Sequence, residues 1–407
     1  MSRILLKNAR ILLENSTIDK GFILIENEQI LQTGTLEELP AIGQDTEIIE
    51  LSPEHTISPG FIDVHIHGAG GSDTMDATFE ALNTMAGVLP EEGTTSFLAT
   101  TITQEKEKIE AALINAAHFQ KEQNTPGKAE VIGIHLEGPF INEARGGAQP
   151  KDHILEPDIE LFKRWQEAAD GTIKLITLAP EKANGYEFIR YLSKNGVVPS
   201  IGHSDAIFTE MEKAVQAGAK QVTHLFNGMR GMHHREPGVA GASLLFKELI
   251  VEMIADGIHV RPEMIKLALN AKGADGMILI TDSMRAKCLK NGHYDLGGQD
   301  VKVENGQALL ADGTLAGSIL KMKDSIKNMI DFTDIQLHEA VRLASSNPAR
   351  QLNIFDRKGS ISEGKDADLV VLDENLEVAM TFCRGVKAFE REVKGNGKSF
   401  EQPIITI

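Results

Sequence analysis

Cysteine is scarce in this sequence: 407 residues carry two, Cys288 and Cys383. Two thiols cannot build a disulfide framework, so the chain reads as one from a reducing compartment. Cations are short as well, with 41 Lys and Arg against 59 Asp and Glu and a formal net charge of −18. That balance favours solubility and excludes a nucleic-acid or anionic-membrane surface as partner. Long apolar runs are missing, and no stretch approaches the roughly 18 residues that a membrane span needs. Charges interrupt the opening MSRILLKNARILL before a signal-peptide core can form. The expected location is the cytoplasm, with no nucleic acid and no membrane as partner. No fixed-period repeat or low-complexity tract occurs, which excludes a solenoid.

What is present is ordinary globular material. Hydrophobic residues make up 42% and charged residues 25%, a composition that rules against disorder. At about 150 residues per domain the length allows two or three, and an α/β barrel of roughly 250 or more residues favours two. Both ends read as β-rich: ILLKNARIL and GFILIENEQILQTG, with a turn at Glu26-Asn27-Glu28, then GSISEGKDADLVVLD and EVAMTFCRGVKAF. Residues 1–60 and 350–407 are therefore expected to combine into one split domain. From 61 to 349 short apolar runs alternate with helical patterns such as EKEKIEAALINAAHFQKEQ and TEMEKAVQAGAK. The runs are Phe61–His67, Thr94–Thr101, Glu130–Gly138, Thr172–Pro180, Val197–Ser204, Lys220–Phe226, Ile250–Asp256 and Gly276–Ser283. Eight strands in strict alternation with helices predict an α/β fold, a closed (β/α)8 barrel of TIM type; a doubly wound open sheet is the alternative.

The ends of those runs carry the chemistry. In such a barrel, reactive groups project from the C-terminal ends of the strands. The first run closes on His65-Ile-His67, and alternation puts both imidazoles on one side. Glu137 ends the third, His203 the fifth, His224 the sixth and Asp282 the eighth. Four histidines and two carboxylates make a nitrogen and oxygen donor set suited to Zn, Fe, Mn, Co or Ni. Any one of these histidines could be an ordinary hydrogen-bonded residue, and Asp282 alone could cap a helix. Together, that bland reading needs coincidences at five strand ends.

Gly60-Phe61-Ile62-Asp63-Val64-His65-Ile66-His67-Gly68 resembles the first-strand signature of the amidohydrolase superfamily. Leu136-Glu137-Gly138-Pro139, Gly202-His203-Ser204, the stretch from Thr223 to Met229 and Thr281-Asp282 resemble, within it, the branch that deacetylates N-acetyl amino-sugar phosphates. Gly364-Lys365-Asp366-Ala367-Asp368-Leu369-Val370 resembles the superfamily's split β-domain, so a small β-sandwich from both termini is implied. The resemblance implies hydrolysis of the acetamide of N-acetylglucosamine 6-phosphate to glucosamine 6-phosphate and acetate. Glu137, His203 and His224 would hold one divalent metal. His65 and His67 would hold a second, with Glu137 bridging and Asp282 near both, so one or two ions per chain are implied. Glu137 stands where many relatives carry a carboxylated lysine. Asp282 would be the catalytic acid and base.

Substrate contacts follow from the same resemblance. Asn227-Gly228 and Arg235 would meet the phosphate, with Arg235 reaching into the partner's site of a homodimer. Asp256, Gly257, Ile258 and His259 would contact the substrate, His259 at the sugar, and Leu315-Ala316-Gly317-Ser318 would line it. Gly147-Ala148 is followed by Gln149 where many relatives have histidine, so any charged role there is lost. His233-His234 reads as an exposed loop without a role. Rival readings are a related hydrolase acting on N-acetylgalactosamine 6-phosphate or an N-acyl amino acid, and a catalytically silent assembly barrel.

Overall fold

The structure, a computed structural model, describes residues 2–392. Met1 and residues 393–407 of the expected terminal domain lie outside the described residues. All eight expected strands form: Phe61–Ile66, Thr94–Thr100, Glu130–Glu137, Ile173–Leu178, Val198–Ile201, Gln221–Val222, Ile250–Met253 and Met277–Leu279. They pair parallel in chain order from the first to the eighth. A parallel bridge between Ile66 and Ser283, and a hydrogen bond from Asp282 N to His65 O at 2.8 Å, join the eighth strand to the first. The fold is a TIM-type barrel.

The strands are apolar on both faces because both are covered. Ile62, Val64, Leu98, Ile132, Leu175 and Ile278 meet in one cluster inside the ring. Their neighbours Phe61, Phe97, Val131, Ile134, Ile176 and Leu279 pack outward with the helices. The helices carry the matching stripe. Ile159–Ala168 buries Leu161, Phe162 and Trp165, and starts where the Asp158 side chain accepts from Glu160 N and Leu161 N. The helix read from TEMEKAVQAGAK runs Phe208–Ala217 and stops at Gly218, whose φ of 114° only glycine adopts readily. Several strands end earlier than expected, and after three of them the backbone turns left-handed within three residues. His203, His224 and Asp282 have φ of 47°, 33° and 48°, left-handed values that break the ladder where the ligand side chains emerge.

Both termini build a second sheet of eight strands, in the order Val386–Glu390, Val378–Cys383, Leu369–Leu372, Thr56–Pro59, Arg3–Leu12, Thr17–Glu26, Gln29–Thr35, with Thr46–Glu50 also on Arg3–Leu12. The expected turn at Asn27 is present, with φ of 55°. Leu369 and Val371 face the core of this sheet, whereas Val370 and Leu372 pack against the barrel. A third sheet was not anticipated. Gly292–Leu296, Gln299–Glu304 and Gln307–Leu309 form an antiparallel insertion between the eighth strand and the helix Met322–Thr333. Its signals were the turns Gly297-Gly298 and Asn305-Gly306 between alternating apolar residues. No helix among the described residues is long and apolar enough to cross a membrane.

The Gly364–Val370 motif has a physical task. Lys358, 2% exposed, ion-pairs with Glu130 at 2.6 Å, with Asp366 at 2.9 Å and with Asp368. Glu130 begins the third barrel strand, so the cluster ties the C-terminal segment to the barrel. Burial alone would lower the Lys358 pKa, but the three carboxylates overcome it and raise the value above that of an ordinary lysine. Lys358→Met leaves buried Asp368 without its cation, while Glu130 and Asp366 keep Arg357, and should destabilise the fold by about 3–5 kcal/mol. Urea unfolding checks this, and a loss below about 1 kcal/mol would reduce the cluster to the worth of a surface pair.

Candidate metal centre

Six side chains from five strands converge at the C-terminal mouth of the barrel. Candidate ligand atoms of His65, His67 and Asp282 lie within 4.8 Å of one another, as do those of Glu137, His203 and His224. Glu137 touches both groups. Its Oε1 lies 3.1 Å from His203 Nε2, 3.2 Å from His224 Nε2 and 3.4 Å from His65 Nε2, while its Oε2 lies 3.3 Å from His67 Nε2. Asp282 Oδ1 lies 3.3 Å from His67 Nε2 and 3.5 Å from His65 Nε2. All six expected ligands are therefore together.

The outer contacts orient these rings. His203 Nδ1 meets Arg145 O at 2.9 Å, His224 Nδ1 meets Asn227 O at 3.0 Å, and His65 Nδ1 meets Glu252 Oε2 at 3.0 Å. A carbonyl or carboxylate opposite Nδ1 requires a proton there, which leaves the Nε2 lone pair facing the centre. His203 Nε2 and His224 Nε2 are only 3.1 Å apart, and buried His65 Nε2 has no hydrogen-bond partner. Converging lone pairs and anionic oxygens at this spacing fit a divalent cation. Protonation is the competing way to balance the charge. Burial disfavours a charged His67, yet Asp282 and Glu137 outweigh it and push its pKa up to about 10. Burial likewise opposes ionisation of Glu137, but His65 and hydrogen bonds from His203 and His224 hold its carboxyl well below the usual range.

A cavity of about 230 Å³ opens over the ligands. Among the expected substrate residues, Ala148, Gln149, Asn227, Gly228, His259, Leu315 and Gly317 line it. Gly228 has φ of 56°, and a Cβ there would stand 3.0 Å from His203 Nδ1, so the chain can pass this close only as glycine. His259 Nδ1 lies 2.6 Å from Asp256 Oδ2, while Asp256 Oδ1 accepts from Ile258 N and His259 N. Burial would lower the His259 pKa, but the Asp256 hydrogen bond and charge, with help from Asp282, raise it.

The other expected contacts are placed differently. Asp256, Gly257, Ile258, Ala316 and Ser318 do not line the cavity. Asp256 is occupied with His259, Ala316 sits in the core of the insertion, and Ser318 Oγ donates to Thr281 O at 2.5 Å. Gln149 reaches the wall with both ends of its amide engaged, Nε2 donating to Glu137 Oε2 at 2.6 Å and Oε1 accepting from Thr103 N at 2.9 Å. Arg235 is exposed, does not line its own chain's cavity, and lies 2.9 Å from His234 Nε2. The His233–Glu236 loop is a tight turn closed by two backbone hydrogen bonds of 3.1 Å. Sequence reasoning missed Ile102, Leu296 and Thr314 on the wall, and Glu252 beneath the ligands. Glu252 had a signal, a lone acid inside the apolar run Ile250-Val-Glu-Met253.

Residues 56–388 match the profile of the Amidohydrolase family. The chain is 49% identical over 387 residues to the N-acetylglucosamine-6-phosphate deacetylase of Bacillus subtilis strain 168, covering 95% of this chain and 97% of that protein. It is 37% identical over 329 residues to the N-acetylgalactosamine-6-phosphate deacetylase of Escherichia coli O157:H7, covering 81% and 86%. Among solved structures it is similar, with a TM-score of 0.88 and 31% identity, to a mutant N-acetyl-D-glucosamine-6-phosphate deacetylase of Mycobacterium smegmatis in complex with N-acetyl-D-glucosamine-6-phosphate. That likeness covers 95% of this chain and 100% of the other.

Proposed function

The chain belongs to the amidohydrolase family, and on that premise we propose that it hydrolyses the acetamide of N-acetylglucosamine 6-phosphate, releasing acetate and glucosamine 6-phosphate. The observation that carries the reading is the cavity whose floor holds His67, Glu137, His203, His224 and Asp282, five of the six candidate ligands, and whose walls include Asn227-Gly228 and His259. Acetate release over a panel of N-acetylated sugars, with and without the 6-phosphate, tests it. Turnover confined to N-acyl amino acids would sink it. The relative acting on N-acetylgalactosamine 6-phosphate supports a second reading, the epimeric sugar, which the same panel separates.

Glu137, His203 and His224 would hold one divalent ion, and His65, His67 and Asp282, together with Glu137, would hold a second where two are bound; Zn, Fe, Mn, Co and Ni all suit these donors. When bound, such an ion supplies the positive charge that acidifies water and polarises the acetamide carbonyl. The remaining work falls to side chains. Asp282 takes the proton from the attacking water at a carboxylate oxygen and delivers it to the departing nitrogen, since an unprotonated amine leaves poorly. His259, braced by Asp256, offers Nε2 to the substrate from the wall. Gln149 holds Glu137 at its outer oxygen. Asn227 and Gly228 face the phosphate end. The two free cysteines and the phosphorylated substrate both suit the cytoplasm.

The exposed turn of Arg235 supports a homodimer in which each arginine reads the phosphate in its partner's cavity. Met232 beside this turn and Leu245 at the end of the following helix are 54% and 65% exposed, apolar surface available to a second subunit. Arginine suits phosphate through two parallel donors, each charged hydrogen bond contributing about 1.5–3 kcal/mol. Arg235→Ala should therefore raise KM for the phosphorylated sugar about tenfold to a few hundredfold, leaving the unphosphorylated sugar's poor rate nearly unchanged. Equal losses on both sugars would make Arg235 structural. Mixing Asp282→Asn with Arg235→Ala protein creates heterodimers with one intact composite site. If subunits exchange and activity at low substrate stays at the Arg235→Ala level, the arginine acts within its own chain.

A further inference from the structure

Glu252 lies on the seventh barrel strand with no solvent exposure, in a strand whose other residues are Ile250, Val251 and Met253. A carboxylate at that depth is costly unless its oxygens are fully engaged. Here three donors converge on it. Oε2 accepts from His65 Nδ1 at 3.0 Å and from His224 N at 3.1 Å, and Oε1 accepts from Gln221 Nε2 at 2.6 Å. It thus touches one residue of each ligand group from beneath.

The two groups are braced differently. His203 and His224 turn Nδ1 to backbone carbonyls, which the chain path fixes whatever the side chains. In the other group His67 Nδ1 has no hydrogen-bond partner among the described residues, and His65 leans on Glu252. From this asymmetry we infer that Glu252 is a positioning residue that sets the His65 ring and thereby governs metal loading of the His65–His67–Asp282 group. The inference rests on the two-group metal reading above. An anionic acceptor fixes the Nδ1–H tautomer, holds the ring plane, and makes Nε2 a stronger donor to a cation. The group that depends on it is the one without a second brace.

Gln221 supplies a control. Its Oε1 is buried without a partner. In Glu252→Gln the new amide can keep its oxygen towards His65 and His224, and Gln221 can turn its own Oε1 to meet the new N–H. That variant keeps the geometry and removes the charge. Glu252→Leu removes the acceptor at similar volume, and Glu252→Asp, should leucine prevent folding, retracts it by one methylene.

The test is titration of metal-stripped full-length protein with Zn²⁺ against a competing chelator, with circular dichroism reporting the fold. The wild type is expected to show two sites. In Glu252→Leu and Glu252→Asp one site should weaken about 10–100-fold while the other stays within about threefold, and Glu252→Gln should retain both. Equal affinities in the wild type and the Leu and Asp variants overturn the inference. Loss of both ions from those variants overturns the selective role, assigning Glu252 to the whole centre. A wild-type chain that takes up no Zn²⁺ instead fails the metal reading, and the inference falls with it.

Discussion

Asp282→Asn is expected to cut turnover by about 10²–10⁴-fold, the usual worth of a positioned acid and base, while the protein stays folded and keeps at least one ion. The side chain is 13% exposed and faces His65 and His67 through Oδ1. An amide of the same shape fills that place but cannot take a proton from water and pass it on. Backbone strain does not confuse the test, because asparagine tolerates the left-handed φ of 48° at least as well as aspartate. The Glu137, His203 and His224 group is untouched, so elemental analysis should still find metal. Residual turnover above about a tenth of wild type would remove Asp282 from the role.

Glu137→Ala is expected to lose all tightly held metal, whereas replacing His65 and His67 together should lose one ion of two. The difference follows from reach. Glu137 presents Oε1 to His203, His224 and His65, and Oε2 to His67, so its removal strips the anionic bridge from both groups. Four imidazoles would then crowd one space with Asp282 as the nearest remaining ligand carboxylate, and Gln149 Nε2 would lose its acceptor. Elemental analysis after dialysis reads the result directly. Unchanged metal in Glu137→Ala would dismiss it as the bridge.

How far the sequence carried depends on which physical signal each feature leaves. The barrel was legible because every strand is buried on two faces and so forms a short apolar run. The ligands were legible because polar residues at the ends of such runs have few structural uses. The strand ends were not, since left-handed turns at His203, His224 and Asp282 leave no mark in side-chain pattern. Glu252 was passed over because it sits in the middle of a run, where attention falls on apolar neighbours. The substrate wall was read from local motif alone, which could not show that Asp256 braces His259 and Ser318 binds Thr281 O. Arg235 shows the remaining gap: a residue that acts across subunits leaves no signature in one chain's geometry.

The three-stranded insertion bears on how such an enzyme can change its diet. Leu296, Thr314, Leu315 and Gly317 of the cavity wall come from this segment or its flank, while every candidate ligand comes from a barrel strand end. The insertion has a small core of its own, with Val301, Val303 and Ala308, and touches the barrel through contacts such as Gln104 Nε2 to Gly297 O at 2.8 Å and Gln299 Nε2 to Ala148 O at 2.6 Å. Substitutions there can reshape what the mouth admits without shifting a ligand. Part of substrate choice is thus carried on a stretch of chain separate from the ligands, while Asn227, Gly228 and His259 stay on the barrel loops, and descendants of this barrel can diverge in appetite through the insertion with the ligand set inherited intact.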